Sequence, residues 1–518
     1  MRRSIGEFEV KDVDLAGRIG KLYTPHGVLE TPALLPVIDI ERQELSINEI
    51  KEVGFNAIIT NAYLIMKRYG RDARKVHELM NFDGIIMTDS GAYQLLRYGV
   101  IDATNREIVE FEKKIDSDIA VILDVPSGSA YDKKQAEWSV QETLRRAEEA
   151  INYIDPEKRV WTLPVQGGPY VDLVENSAKM SAKFANYYAL YALGSPTILL
   201  EKYRYSELLQ LIIAARKHLP RSKPLHLFGA GHPMIIPFAV ALGVDMFDSA
   251  SYILYARDNR YMTLTHTYRL EDLDYLPCSC PICTKYTPQE MLEMPAPERT
   301  KLLAKHNLYV LKQAINEVKV AIREGRLWEL LVEKSHAHPS LHDALKVVLD
   351  NIEHLVRYSP HVKGIETHGI FIFGHVDHKH PKVVEHLRRL FNNYRPRKCT
   401  RLVLVPVDPN TKPFITSNMY KLAKRRYRGA HFVGYVPALS LVPEELAETY
   451  PLSQFEISRE VSEKLIEETV KAIKNYVSRF HGNCYNEVII LYSEEIEWSK
   501  TIADKLGKEL RVRVEKIS

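Results

Sequence analysis

No stretch of this chain carries the eighteen or more consecutive apolar residues that a membrane-spanning helix requires; the longest run, roughly a dozen residues after Pro233, is too short. The first residues, MRRSIGEFEVKD, contain two basic side chains with no apolar core behind them, so they do not read as a secretory signal, and a cytoplasmic, membrane-free protein is expected. No G-x-G-x-x-G follows the first strand-like run, which argues against a dinucleotide-binding open sheet. Cysteine is scarce: five in 518 residues is an odd count for a disulfide framework, and Cys278, Cys280 and Cys283 stand almost on top of one another, the spacing of a metal site. Cys399 and Cys484 are isolated and read as small buried hydrophobes. What is present is 45% hydrophobic and 26% charged residues, enough for large cores in two to four globular domains.

Eight short apolar or β-branched runs recur through the first 250 residues: LLPVI (34–38), NAIIT (56–60), GIIMT (84–88), IAVILD (119–124), VWTLPVQ (160–166), ALYALG (189–194), LHLFGA (225–230) and VDMFD (244–248). The segments between them have helix chemistry. Thr104 and Glu107 form a capping box ahead of Ile108, Phe111 and Ile115, and Val140, Leu144, Ala147 and Ile151 keep a helical period. Near-continuous apolar strands alternating with amphipathic helices mean a covered parallel sheet, and eight units predict an α/β chain built on a (β/α)8 TIM barrel. A doubly wound open sheet is the alternative.

Chemistry in this barrel gathers at the carboxyl ends of the strands. Those ends carry Asn61, Asp89-Ser90, Asp124, Gln166-Gly167-Gly168, Gly194-Ser195, Gly229-Ala230-Gly231-His232 and Asp248-Ser249. Singly, each is an ordinary helix cap or turn residue. Three carboxylates and an amide on one rim are a different matter, because gathered like charges destabilise unless they serve a site. Two Asp residues whose pKa values are pushed apart can act as nucleophile and acid in double displacement at an anomeric carbon. An acceptor-only carboxylate beside an amide matches the donor-rich edge of a guanine-like base. Tyr93 offers a ring to stack on such a base, and His232 either orients an anion or holds its own loop. After the eighth strand comes C-x-C-x2-C, with His306 downstream; three thiolates and one imidazole fill a tetrahedral Zn2+ shell, which makes the metal structural.

The segments MTDSGAYQ (87–94), LPVQGG (163–168), YALGS (191–195), FGAGHP (228–233), FDSASYILYARDNRYMT (247–263) and CSCPIC (278–283) resemble the tRNA-guanine transglycosylases, over roughly the first 300 residues. The continuation beyond the zinc motif resembles the archaeal branch. The resemblance implies exchange of guanine at position fifteen of the tRNA D loop for 7-cyano-7-deazaguanine, an early step toward archaeosine. It implies Asp248 as nucleophile on ribose C1′ and Asp89 as general acid/base, with the reverse assignment as the alternative. It implies Asp124 and Gln166 as the base-recognition pair, with Ser90, Tyr93, Gly194 and Ser195 completing the pocket, and Cys278, Cys280, Cys283 and His306 as ligands of one zinc. Tyr93 stands where the family usually has Phe. The partners implied are tRNA, guanine and 7-cyano-7-deazaguanine, with a homodimer as the assembly.

From about Pro297 to Tyr358 the chain reads as helical, and GIFIF, RLVLVPV, HFVGYV, EVIILY and RVRVEKI then predict strands of one or two small α/β domains. The division expected is 1–345 for the barrel with its zinc insertion, 346–430 for a basic RNA-binding domain and 431–518 for a second small domain. Between Pro381 and Ala430, thirteen Lys or Arg face only Glu385 and Asp408, although the whole chain carries a net charge of just +3. Arg395, Arg397, Lys398, Lys424, Arg425, Arg426 and Arg428, interleaved with Tyr394, Tyr420 and Tyr427, are the expected grip on a phosphate backbone. The archaeal branch usually ends in a PUA domain, for which the sequence leaves no room, so the expectation is either that this lineage lost it or that a separate small PUA-domain protein supplies it. Three rivals remain: an enzyme acting on the already inserted base, a non-catalytic tRNA-binding subunit, and a retaining glycosidase. The first two need not keep both Asp89 and Asp248, and the third explains neither the Asp124/Gln166 pair nor the basic segment.

Overall fold

A computed structural model of the 518-residue chain describes residues 3–92, 102–127, 132–194, 197–361, 368–510 and 512–517, so Tyr93 and Ser195 lie outside the described residues. The chain divides into two compact units, 1–354 and 355–518.

The first unit opens with an antiparallel sheet of β1 (Phe8–Asp14), β2 (Gly17–Thr24) and β3 (Gly27–Thr31), which the strand count did not foresee. Eight parallel strands follow: β4 (Ala33–Pro36), β5 (Ala57–Asn61), β6 (Ile85–Asp89), β7 (Ile119–Val121), β8 (Val160–Val165), β9 (Leu190–Leu193), β10 (Leu225–Leu227) and β11 (Met246–Ser249). Their order is β4-β11-β10-β9-β8-β7-β6-β5, and the Val37–Ile59 bridge closes the ring. All eight expected runs are therefore barrel strands. The Thr104–Glu107 capping box opens the helix Asn105–Lys114, and Val140 and Ala147 are buried on the helix Lys133–Ala150.

Along a strand, alternate residues point inward. Ala33, Leu35, Ala57, Ile59, Ile85, Met87, Ile119, Val121, Val160, Leu190 and Met246 accordingly fill the barrel as one buried cluster with Leu22 and Leu29 from the N-terminal sheet. That sheet plugs the amino-terminal end, and two carboxylates clamp it there. Arg18 of β2 donates through Nε to Asp245 Oδ1 at 2.9 Å and pairs with Oδ2, which also accepts from Leu225 N at 2.8 Å. Asp118, fully buried, accepts from the His26 backbone N–H at 2.9 Å and from Ile86 N at 2.8 Å, and both the His26 and His77 rings bond to it.

The first unit continues through the helices Ala296–Glu324, Leu327–Lys334 and Pro339–Asp350. A boundary at 345 would cut the last of these, and the unit ends instead at His354. In the second unit, Arg401–Pro406, His431–Val436, Ser440–Pro443, Glu487–Tyr492 and Arg513–Lys516 form one five-stranded sheet, parallel except for Ser440–Pro443. The expected division at 430/431 falls between two strands that pair directly, Leu402 opposite His431 through Pro406 opposite Tyr435. A single core shared by both sides, from Ile370 to Ile517, replaces the two small domains expected. Cys399 and Cys484, expected as separate thiols, are joined in a disulfide.

Replacing Asp118 with Ala strands buried N–H donors, each costing about 1–3 kcal/mol. Asp118→Ala is expected to lower unfolding free energy by roughly 2–4 kcal/mol in urea titrations; a loss below about 0.5 kcal/mol would mean that the clamp contributes nothing.

Candidate active site

The inward alternation that builds the core carries on past it into polar residues. Asp89 follows Ile85 and Met87 on the inner face of β6, Asp248 follows Met246 on β11, and Asn61 follows Ala57 and Ile59 on β5. Asp124 lies just beyond β7, Gln166 just beyond β8 and Gly194 just beyond β9. The barrel thus brings the three expected carboxylates and the amide to one mouth.

Asp248 is 7% exposed. Its Oδ1 accepts from two donors, His226 Nε2 at 2.8 Å and Gly229 N at 2.8 Å. Gly229 has φ 65°, a left-handed conformation that costs glycine little and turns this N–H toward the carboxylate. Asp89 accepts from Asn61 Nδ2 at 3.4 Å, while Asn61 Oδ1 caps the helix Ala62–Tyr69 through Leu64 N at 2.9 Å. Burial, then the charges of Asp124 and Asp248, push the Asp89 carboxyl up to about 7 against the pull of the Gly91 and Ser90 backbone N–H groups. Near neutral pH it holds its proton about half the time.

Asp124 is buried and its pKa is raised to about 6 by that burial, opposed by Gln166 and other donors. Gln166 Nε2 donates to Asp124 Oδ2 at 2.6 Å, and Ser90 Oγ stands 3.5 Å from Oδ1. The amide's orientation is set from behind, since Gln166 Oε1 accepts from Ser127 N at 3.2 Å. A Cβ on Gly194 would lie 2.3 Å from Gln166 Nε2, so glycine is required for the amide to sit there. Arg146 donates to the carbonyls of Leu123 and Asp124, both at 3.3 Å, fixing the strand end.

His232 does not join this constellation. Its Nε2 bonds Thr267 Oγ1 at 3.1 Å, its Nδ1 accepts from Met234 N at 3.4 Å, and burial pushes its pKa down to about 4, so it holds its loop as a neutral ring. The histidine that does reach an aspartate is His226, which sequence reasoning passed over. Its signal was an inward-facing polar residue in the apolar run LHLF, two positions before Phe228. Asn61 was seen as a strand end but given no role, and Ser127 was missed in a loop without pattern.

Cys278, Cys280, Cys283 and His306 converge, their ligand atoms within 4.8 Å of one another. Cys280 Sγ is 3.5 Å from Cys283 Sγ and 3.5 Å from His306 Nδ1, and Cys283 Sγ is 3.3 Å from the same nitrogen. Ligands held about 2.0–2.3 Å from one tetrahedral ion stand roughly 3.5 Å apart, so the group fits a metal of that geometry. His306 Nε2 is taken by the Met262 carbonyl at 2.9 Å, leaving Nδ1 to face the sulfurs, and Tyr261 stacks on the ring at 3.8 Å.

A family model described as queuine tRNA-ribosyltransferase matches residues 13–340, and one described only as a domain of unknown function matches 383–517. A protein of Aeropyrum pernix named tRNA-guanine(15) transglycosylase is 45% identical over 511 residues, covering 96% of this chain and 97% of that one. This chain belongs to the tRNA-guanine transglycosylase family. A Sulfolobus acidocaldarius protein of the same name is 45% identical across 95% of this chain and 96% of its own length. One from Pyrococcus furiosus is 46% identical over 365 residues, 70% of this chain and 61% of the relative, so the transglycosylase match there is concentrated in part of each protein. No helix among the described residues is long and apolar enough to cross a membrane.

The raised Asp89 pKa has a stability consequence. The folded state holds this proton up to about pH 7, whereas an unfolded Asp releases it near 4. Stability therefore falls as pH rises through that window, and the full cost stands above pH 7. Asp89→Asn, which cannot ionise, is expected to melt at a higher temperature than the parent at pH 8 and to match it near pH 4; equal midpoints at both pH values would contradict the shift.

Proposed function

We propose that this transglycosylase exchanges guanine at position 15 of tRNA for 7-cyano-7-deazaguanine by double displacement, acting in the cytoplasm as an early enzyme of archaeosine synthesis. The observation that carries the reading is the unequal treatment of two aspartates at one barrel mouth. Asp248 Oδ1 accepts from two N–H donors, while burial and the neighbouring carboxylates raise the Asp89 carboxyl to about 7. This favours Asp248 as nucleophile. A carboxylate oxygen of Asp248 bonds to ribose C1′ as the C1′–N9 bond breaks, and the departing guanine takes the proton of Asp89. Asp89, now ionised, accepts the proton of the incoming base, whose ring nitrogen attacks C1′ and returns the electron pair to the Asp248 carboxylate.

Asp124 and Gln166 present acceptor and amide to the base edge from a wall fixed by Ser127 and Arg146. Ser90, Tyr93, Gly194 and Ser195 complete the proposed pocket. Cys278, Cys280, Cys283 and His306 would hold one structural Zn2+, tying the segment after β11 to the helix Ala296–Glu324.

The basic residues support tRNA binding by the second unit in a way the sequence hid. Segment 395–400 leads into the strand Arg401–Pro406 and segment 427–430 into the neighbouring parallel strand, so both lie at the amino-terminal end of that sheet, with Thr400 Oγ1 donating to Gly429 O at 3.4 Å. Several charges there are already balanced: Lys398 by Glu444, Arg426 by Glu515 and Arg401 by Glu487. Arg395 donates to backbone carbonyls, and Lys424 to the Tyr420 hydroxyl. Arg397, Arg425 and Arg428 are exposed and lack such partners among the described residues. The tyrosines are not stacking platforms: Tyr420 and Tyr427 are buried, and Tyr394 donates to Glu445.

Incubation with an unmodified tRNA transcript and labelled guanine or 7-cyano-7-deazaguanine is expected to move label into RNA. Asp248→Ala and Asp89→Ala should each lower incorporation by on the order of 10³-fold or more, and metal analysis should find zinc. Salt-sensitive tRNA binding without incorporation would point instead to a non-catalytic subunit. Replacing Arg397, Arg425 and Arg428 together with Ala is expected to weaken tRNA binding and to reduce the slope of log affinity against log salt by roughly two to three; an unchanged slope would remove these residues from the interface.

A further inference from the structure

We infer that His226 is the positioning residue of the nucleophile: it selects which oxygen of Asp248 attacks and which becomes the carbonyl of the covalent intermediate. The inference rests on Asp248 being the nucleophile. His226 lies on β10, fully buried, its ring 4.8 Å from that of Phe228. Its Nε2 is 2.8 Å from Asp248 Oδ1. A carboxylate can only accept, so the proton of this bond sits on Nε2. Nδ1 is buried and has no hydrogen-bond partner among the described residues. With no partner for Nδ1, the contact that orients the ring is the one between Nε2 and the carboxylate.

Two donors, His226 Nε2 and Gly229 N, converge on Oδ1, whereas Oδ2 accepts from no described residue. The better-solvated oxygen is the poorer nucleophile, so Oδ2 attacks. When the Oδ2–C1′ bond forms and guanine departs with the C1′–N9 electron pair and a proton, Oδ1 becomes the ester carbonyl and keeps both donors. In the second displacement the Oδ2–C1′ bond breaks, and its electron pair returns to a carboxylate that the same two N–H groups stabilise. His226 thus fixes orientation in the first step and assists departure in the second, without itself gaining or losing a proton. A hydroxyl or carboxylate in its place would not serve, because one adds rotational freedom and the other adds charge to a mouth that already holds three aspartates.

The test uses the full chain with tRNA and labelled guanine, following both steady-state exchange and the trapped protein–RNA adduct. His226→Phe keeps a flat ring and removes the donor. It is expected to lower kcat on the order of 10- to 100-fold, with KM for tRNA within about twofold, and to slow discharge of the adduct by free guanine. His226→Gln returns an N–H to the Nε2 position and should recover most of the rate; His226→Asn withdraws the donor toward Nδ1 and should not. Should the Phe variant fail to fold, the Gln/Asn pair decides. Gln no better than Asn, or Phe at the parent rate, would overturn the inference. Asp248→Ala run alongside separates the two failures: an adduct that persists without Asp248 refutes the nucleophile assignment, whereas its loss with unaffected His226 variants refutes only the positioning role.

Discussion

The burial of Asp89 and Asp124 beside Asp248, three carboxylates gathered at one barrel mouth, is the constraint from which the rest of the site follows. Ionising all three in that space is disfavoured, first by lost solvation and then by their like charge. The fold divides them by neighbours. Asp248 receives a ring N–H and a backbone N–H, Asp124 receives the Gln166 amide, and Asp89 receives only one long bond from Asn61 and the local backbone. The least supported of the three has its carboxyl raised to about 7, the range that acid/base exchange of a purine-like base calls for. The surrounding architecture serves this division: Ser127 orients Gln166, glycine at 194 makes room for it, and Gly229 turns a backbone dipole toward Asp248.

Much of the barrel could be read from the sequence because period-two strands and amphipathic helices leave a local trace. Asp89 and Asp248 fall at the mouth for the same reason: an inward-facing position beyond Met87 or Met246 has nowhere else to point. His226 escaped because one polar residue in an apolar run has no partner in its own neighbourhood of sequence; Asp248 is 22 residues away. His232, conspicuous between a glycine and a proline, drew attention that belonged six residues earlier, at His226. The N-terminal sheet was invisible for a different reason. Its strands carry charges on one face and are held by Arg18–Asp245, a pair separated by 227 positions.

The second unit shows the limits of reading charge as a one-dimensional property. Thirteen basic residues in fifty looked like one continuous grip, yet Glu444, Glu487 and Glu515, all beyond that window, neutralise part of it. Arg397 and Arg428 fall at one end of the sheet because parallel pairing of Arg401–Pro406 with its neighbours brings the residues ahead of each strand together, while Arg425 sits in the last turn of the helix Asn418–Arg426. The Cys399–Cys484 disulfide closes the same end, joining a residue just ahead of one strand to the turn that precedes Glu487–Tyr492.

The plug of Leu22 and Leu29 in the far end of the barrel has a consequence for traffic. With that end filled, the proposed reaction brings both bases to the carboxyl-terminal mouth, where the polynucleotide also lies. The incoming base bonds to the same C1′ that the outgoing base leaves, so in a double displacement one clears before the other enters. During that interval the ribose has lost its base and needs an anchor that does not depend on one. A covalent tether is then a requirement of the floor plan as much as of the bond chemistry.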